Sequence, residues 1–206
     1  LSYPLFYLQK LLEPLILSCL TVSIDTELSK FIGRAVKTTS IRPDAVSLDR
    51  LDPLEDEESI LDIGDIMMEG RFSDYAALHI VTDSSLNTLA KLYPNSCFDE
   101  RRFRPNLIVK SPPESKGFIE NKWVGRTILI GESIQLKITD PTPRCAVPSL
   151  AQSDRMSKDP SVLRAIVEQN RLPVPLLEDE ILPCVGVYAF VICGGIVREG
   201  DMVKVA

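Results

Sequence analysis

Residues 127–139 read TILIGESIQLKIT. Apolar residues alternate with polar ones on both sides of Gly131-Glu132, and this pattern predicts two strands, each with one buried face, joined by a tight turn. Shorter strand patterns recur at residues 35–41, 77–81, 107–110, 185–193 and 202–205. Helical patterns are fewer and lie at residues 25–32, 86–92 and from Asp159-Pro160 onward. We therefore predict a mainly β protein with several helices, of the α+β class, whose strands form a β-barrel-like sheet.

The composition predicts a folded chain with a true hydrophobic core. The 206 residues are 45% apolar, and the formal net charge is −6. This negative balance argues against nonspecific nucleic-acid binding, which needs a surplus of Lys and Arg to displace phosphate counterions, so nucleic acid is not an expected partner. Residues 1–20 are apolar in parts, but Lys10, Glu13 and two prolines interrupt them. We expect an amphipathic helix there and no membrane span.

The five cysteines are scattered along the chain at positions 19, 97, 145, 184 and 193. Their number is odd and no C-x-x-C pair occurs, which is typical of a reducing compartment, here the cytoplasm or the mitochondrion. With His79 as the only histidine, a closed zinc site is not expected. We expect Cys19, Cys184 and Cys193 to be buried, Cys97 to be exposed in a loop, and His79 to be a hydrogen-bonded core residue.

Carboxylates are dense between Arg42 and Arg71. Such density is compatible with a metal site, but a run of charges is more often a solvated surface. We therefore predict an exposed loop in this tract and keep metal binding as the alternative.

Two segments carry residues suited to chemistry: Arg101-Arg102-Phe103-Arg104-Pro105-Asn106 and, further along, Pro143-Arg144-Cys145. In an extended segment Arg102, Arg104 and Asn106 share one face, and paired guanidinium groups match phosphate geometry; salt bridges to the acidic tract are the alternative. A cysteine beside an arginine favours the thiolate, which binds soft metals, whereas the alternative for Cys145 is a buried structural thiol. If the fold brings the two segments together, we expect one pocket for a soft metal carried by an anionic cofactor.

The strand pattern that ends near Thr82 runs directly into Asp83-Ser84-Ser85 and a helix. Asp83 or Ser84 is predicted to cap this helix by accepting its free N–H groups. A helix N-terminus that follows a strand also binds phosphate readily, since its unpaired N–H groups point at the ligand. Ser84 and Ser85 are therefore candidate ligand contacts, with ordinary capping as the alternative.

In chain order these segments resemble the MOSC domain, a family named after the C-terminal domain of eukaryotic molybdenum cofactor sulfurases. The matching segments are Thr82-Asp83-Ser84-Ser85-Leu86, Arg102-Phe103-Arg104-Pro105-Asn106, Phe118-Ile119-Glu120-Asn121-Lys122-Trp123 with Gly125 and Gly131, Pro143-Arg144-Cys145, Gly186-Val187-Tyr188 and Gly200-Asp201-Met202-Val203. The resemblance implies a MOSC-type β-barrel over residues 28–206, preceded at residues 1–27 by a remnant of an N-terminal MOSC-associated β domain. In members similar to the amidoxime-reducing component, that domain carries a Tyr-Pro-Val-Lys-Ser-like motif, and Tyr3-Pro4-Leu5-Phe6 resembles it only faintly, without the lysine.

The resemblance also implies a bound molybdenum cofactor, in which the dithiolene of a phosphorylated pterin, molybdopterin, holds the metal. Cys145 stands at the position of the cysteine that ligates molybdenum, and this match makes it the candidate metal ligand and catalytic residue. The positions that match the family's cofactor contacts are Ser84, Ser85, Arg102, Arg104, Asn106 and Arg144.

Two main functions follow from the resemblance. The first is an oxidoreductase that reduces a small N-hydroxylated substrate, such as an amidoxime or a hydroxylamine, with electrons from separate electron-donor proteins. The second is a non-redox module that carries the cofactor, or carries sulfur as a persulfide on Cys145 after receiving it from a sulfur donor with pyridoxal phosphate chemistry. A shortened, inactive member of the family is a third alternative.

Overall fold

The computed structural model describes residues 24–38, 47–51, 58–62, 75–152 and 156–206, with the backbone alone at 47–51 and 58–62. The chain divides into two compact units, residues 1–44 and residues 45–206, and each is described by itself. The predicted amphipathic helix in residues 1–20 and the predicted burial of Cys19 lie outside the described residues.

The described part of the N-terminal unit contains one helix, α1, at Ile24–Ile32. It ends at Ile32, where the predicted helical pattern also ends, and is followed by Gly33, whose φ of 75° is left-handed and whose N–H donates to the Ser29 carbonyl at 3.0 Å. The Asp25 carboxylate accepts hydrogen bonds from the hydroxyl and the backbone N–H of Thr38, and these bonds lower the pKa of Asp25. Of the strand predicted at residues 35–41, residues 35–38 are not in a strand, and the rest lies outside the described residues.

Part of the acidic tract forms a small two-stranded sheet, so the prediction of a loop is wrong there. β1 at Ser47–Leu51 pairs antiparallel with β2 at Glu58–Asp62, and Asp49 lies opposite Ile60. Each strand is only five residues long, and charged residues stand among its apolar ones. A pattern this short is not distinguished from a loop by alternation alone.

The C-terminal unit is built on a seven-stranded sheet. Its strands are β3 at Leu78–Thr82, β4 at Leu107–Val109, β5 at Thr127–Ile130, β6 at Ile134–Pro143, β7 at Arg171–Val174, β8 at Glu180–Cys193 and β9 at Val203–Val205. The order is β4-β3-β8-β6-β5-β9, and β7 pairs with β8 off this path. β3 and β4 are parallel, and the other pairs in this sheet are antiparallel. The mixed sheet nearly closes into a barrel, which confirms the predicted α+β fold with a MOSC-type β-barrel.

Residues 127–139 form the predicted hairpin, in which Ile128 of β5 lies opposite Leu136 of β6 and both are buried in the barrel core. The predicted strand pattern ended at residue 139, before Pro141, but β6 continues to Pro143. Its register with β8 shifts around Pro141 and Pro143, and such irregularities accept a residue that has no N–H to donate. Because of this extension, β6 carries the chain along β8 up to Arg144.

Two helices, α2 at Asp83–Leu92 and α3 at Ser161–Gln169, pack on the sheet through a second apolar cluster. Phe103 of the arginine-rich segment is buried in this cluster. Residues Ile119–Trp123 form a 3₁₀ turn, whose period of three buries both Glu120 and Trp123. No helix in the described parts of the chain is long and apolar enough to cross a membrane.

Candidate functional site

The fold brings the arginine-rich segment and the Arg144-Cys145 step into direct contact. Arg144 follows the end of β6, and its Nη2 donates a hydrogen bond to the Phe103 carbonyl at 3.1 Å. The Arg144 guanidinium also lies over the Phe103 ring, with Cζ 5.6 Å from the ring centroid. The two segments therefore lie together, which is what the predicted shared pocket required.

Arg102 faces the protein interior, so the prediction that it shares a face with Arg104 is wrong. Residues Glu100–Arg102 form a 3₁₀ turn instead of an extended segment, because the Asp99 carboxylate caps the turn by accepting from the Arg101 N–H. The Arg102 side chain is 1% exposed. Its guanidinium donates to the carbonyls of Pro148 at 3.0 Å, Leu150 at 3.2 Å and Ser157 at 2.8 Å. Arg102 thus fixes the loop that follows Cys145.

Arg104 and Asn106 lie on the exposed side of the same segment. Arg104 has a φ of 53°, a left-handed conformation that costs a non-glycine residue on the order of 1 kcal/mol. Asn106 holds the segment against β3, because its Oδ1 accepts from the His79 N–H at 2.7 Å and its own N–H donates to the His79 carbonyl at 2.8 Å. Neither the Arg104 guanidinium nor the Asn106 amide N–H groups donate to a protein group in the described residues. Both remain available to a ligand.

Arg144 carries a positive charge that no carboxylate of the described residues compensates by an ion pair. The side chain is half-buried, and its Nε is enclosed without a hydrogen-bond acceptor. Burial lowers the pKa of Arg144, as does repulsion from Arg104, while Tyr188 and Cys145 are among the groups that favour its charged form. A guanidinium that is partly desolvated and lacks a carboxylate partner is suited to bind an anion.

Cys145 is the half-buried thiol of this site. It has no hydrogen-bond partner among the residues that the structure describes. Cys184, by contrast, is fully buried as predicted, and burial raises its pKa to about 12. Cys97 is exposed as predicted, but the prediction for Cys193 is wrong: it is exposed at the end of β8, where the strand leaves the packed core.

The described residues contain no group of three or more His, Cys, Asp or Glu side chains placed to hold a metal ion. The donor groups of this site, one half-buried thiol beside guanidinium groups without a carboxylate partner, fit a soft metal carried by an anion.

Ser84 and Ser85 stand at the start of α2, where Thr82 is the N-cap and its Oγ1 accepts from the Ser85 N–H at 3.4 Å. The predicted cap at Asp83 or Ser84 is wrong, because the helix begins at Asp83, three residues before the first residue of its apolar pattern, Leu86. Both serine hydroxyls already donate within the protein, Ser84 to the Gly117 carbonyl at 2.8 Å and Ser85 to the Glu120 carboxylate. The structure shows no hydrogen bond from either serine to Arg144 or Cys145.

Glu120 is a buried carboxyl that the sequence analysis did not single out. It is 0% exposed and accepts from the hydroxyls of Thr82 at 2.6 Å and Ser85 at 2.6 Å. Burial raises the pKa of Glu120, and these hydrogen bonds oppose the increase. The signal in the sequence is an acidic residue three positions before Trp123, the spacing that places both on the inner side of a 3₁₀ turn.

His79 is the hydrogen-bonded core histidine that was predicted. Its ring is buried, and Nε2 donates to the Val185 carbonyl of β8 at 3.2 Å. Burial and the nearby Arg144 charge lower the pKa of His79 to about 3. The ring packs against Gly186, whose φ is 84°; a Cβ on that glycine would lie 2.4 Å from His79 Nε2. Only glycine allows β8 to pass this close.

A cleft of about 630 Å³ runs along α2 and the loop at residues 111–117. Ser84 lines it, but Arg104, Arg144 and Cys145 do not. The cleft is therefore a feature separate from the Arg144-Cys145 contact.

The chain was also compared with known proteins. The model of one protein family, described as the MOSC domain, matches residues 68–204. No curated protein matched the chain.

Proposed function

Because the chain belongs to the MOSC domain family, we propose that its C-terminal unit binds the molybdenum cofactor and that the Cys145 thiolate is a ligand of the metal. MOSC domains are associated with binding of this cofactor. The observation that carries the proposal is the uncompensated guanidinium of Arg144 beside Cys145, in contact with the arginine-rich segment.

The charges around Cys145 support an anionic ligand. Arg144 and Arg104 are close enough to repel each other, and Arg144 has no carboxylate partner among the residues described. Together they offer guanidinium donors to the phosphate and pterin of the cofactor. The Asn106 amide, which both donates and accepts hydrogen bonds, suits the pterin edge.

The other predicted contacts take supporting roles in this proposal. The Arg102 guanidinium donates hydrogen bonds to three backbone carbonyls, so Arg102 positions the loop after Cys145 and would act on the cofactor only through that loop. Ser84 and Ser85 use their hydroxyls within the protein, so they would meet the cofactor's anion only through the N-terminus of α2.

We further propose that the protein is an oxidoreductase that removes oxygen, as water, from small N-hydroxylated compounds. The bound cofactor would supply electron transfer at molybdenum, and separate electron-donor proteins would deliver the electrons. The chain itself would supply the thiolate, the orientation of the cofactor and the positive charge around it. We expect this activity in the cytoplasm or the mitochondrion.

Metal content and reduction activity test the proposal together. The protein is purified from a host that makes the cofactor, molybdenum is measured by mass spectrometry, and reduction of a hydroxylamine is followed with a reduced viologen as donor. Cys145→Ala is expected to lose both molybdenum and activity, whereas Cys97→Ala, which changes an exposed loop thiol, is expected to keep both. Normal reduction by Cys145→Ala would contradict the proposal.

A sulfur-carrying role for Cys145 is the second candidate, because the thiol is only half-buried and has no described hydrogen-bond partner. Incubation with a cysteine desulfurase and its substrate would then add sulfur to Cys145 as a persulfide, detected by mass spectrometry of the intact protein. A wild-type mass that stays unchanged would exclude this role.

A further inference from the structure

The loop that directly follows Cys145 exposes two aliphatic side chains. Residues Val147–Ser149 form a 3₁₀ turn, which is closed by a hydrogen bond from the Leu150 N–H to the Val147 carbonyl at 3.1 Å. Side chains three positions apart eclipse each other in a 3₁₀ turn, so Val147 and Leu150 lie on one face. They are 37% and 46% exposed, whereas the two residues between them are buried.

Hydrogen bonds on the inner side of this loop fix which side chains point outward. The Arg102 guanidinium donates to the carbonyls of Pro148 and Leu150. The loop is also tied to α3, because the Ser149 hydroxyl accepts from the Leu163 N–H at 3.2 Å. The exposure of the two aliphatic side chains is therefore set by the fold of the loop.

The exposed pair begins two residues after the thiol. Consecutive Cα atoms are about 3.8 Å apart, so the Val147 Cα lies within about 7.6 Å of the Cys145 Cα. The residue before Cys145 is Arg144, whose guanidinium has no carboxylate partner among the residues described. The chain around the thiol is therefore charged on the side of Arg144 and apolar in the loop that follows.

We propose that Val147 and Leu150 determine substrate specificity by binding the apolar body of the N-hydroxylated substrate next to Cys145. The inference rests on the proposed function and names the substrates that this site prefers, N-hydroxylated compounds that carry an aryl or alkyl group. Two side chains are too few for a stable protein interface, which takes about 20 to 30 residues a side. They are enough to contact one small ring, and this contact removes apolar surface of both partners from water.

Selectivity between two substrates with the same reacting group tests this inference. On protein that contains molybdenum, and with a reduced viologen as donor, kcat/KM is measured for N-benzylhydroxylamine and for N-methylhydroxylamine. In Val147→Thr/Leu150→Asn, which nearly keeps the side-chain size but adds polar groups, the benzyl-to-methyl ratio of kcat/KM is expected to fall about tenfold. Val147→Ile/Leu150→Met, which stays apolar, is expected to keep the wild-type ratio.

Val191→Thr/Ile192→Asn is the matched control. Both side chains are exposed aliphatic ones, and they lie at the end of β8 away from Cys184, the residue that pairs with Pro143. This control is expected to keep the wild-type ratio. An unchanged ratio in Val147→Thr/Leu150→Asn, or an equal fall in the control, would overturn the inference.

A second measurement needs no cofactor, so it separates this inference from the proposed function. Protein from a host that does not make the cofactor is alkylated with N-benzyliodoacetamide and with iodoacetamide, and peptide mapping follows the rates at Cys145 and at the exposed Cys97. The preference for the benzyl reagent is expected to fall several-fold at Cys145 in Val147→Thr/Leu150→Asn and to stay unchanged at Cys97. The same preference at Cys145 in wild type and variant would overturn the inference. Wild-type protein that shows the expected preference but binds no molybdenum in a cofactor-producing host would overturn the proposed function and leave the apolar contact beside Cys145 in place.

Discussion

Arg102→Met removes a guanidinium that is 1% exposed and leaves three carbonyls, of Pro148, Leu150 and Ser157, without their donor. A hydrogen bond to a charged group contributes about 1.5 to 3 kcal/mol, but the loss of three is partly offset because a buried charge is no longer desolvated. We therefore expect the free energy of unfolding to fall by about 3 to 5 kcal/mol. With a urea m value of about 2 kcal/mol/M, the unfolding midpoint decreases by about 2 M.

The assay is equilibrium unfolding in urea followed by the fluorescence of Trp123, the only tryptophan, which is buried in the barrel core. Arg101→Gln is the matched control, because the neighbouring arginine is 43% exposed in its side chain and pairs with Asp99. An exposed ion pair contributes less than about 1 kcal/mol, so this variant is expected to unfold near the wild-type midpoint. Equal midpoints for the two variants would refute the assignment of Arg102 as the anchor of the loop after Cys145.

Three further predictions concern the residues around the site. Gly186→Ala places a Cβ 2.4 Å from an imidazole nitrogen, so thermal unfolding is expected to show a free energy of unfolding lower by about 2 to 4 kcal/mol. Gly33→Ala is the control, because Gly33 has a similar φ but open space around it, and its expected loss is about 1 kcal/mol. Equal losses in the two variants would argue against the close approach at Gly186. Burial raises the pKa of Glu120 in the folded state, so its protonated carboxyl stabilises the fold below its ordinary pKa near 4.5. This stabilisation is lost as the pH rises through the pKa of the folded state. In urea unfolding at a series of pH values, the free energy of unfolding of Glu120→Gln is expected not to show that decrease. Burial raises the pKa of Cys184 to about 12, so this thiol is expected to resist iodoacetamide at pH values near 8, while the half-buried Cys145 is expected to react. Peptide mapping that finds Cys184 modified in the folded protein would contradict its burial.

The sequence predicted what alternation and spacing encode. The hairpin at residues 127–139 follows from period-two alternation around a turn, and the end of α1 follows from a glycine at a left-handed position. These features depend on neighbours in the sequence, which is why they can be inferred before the structure is known.

The features that sequence patterns did not predict depend on contacts between distant residues. The continuation of β6 through Pro141 needs β8 as a partner, and the inward turn of Arg102 needs carbonyls from residues 148–157. The buried carboxyl of Glu120 needs the hydroxyls of Thr82 and Ser85, more than thirty positions away. In the candidate site, the residue types were predictable, but packing decided that the Arg102 side chain is buried and the Arg104 side chain is exposed.

The central claim is that Cys145 is a ligand of molybdenum. X-ray absorption at the molybdenum edge tests it most directly, on wild-type protein and Cys145→Ser purified from a cofactor-producing host. The proposal predicts that the wild-type metal has one sulfur neighbour more than the metal retained by the serine variant, or that the variant retains no molybdenum at all. Molybdenum bound in both proteins with the same number of sulfur neighbours would contradict it.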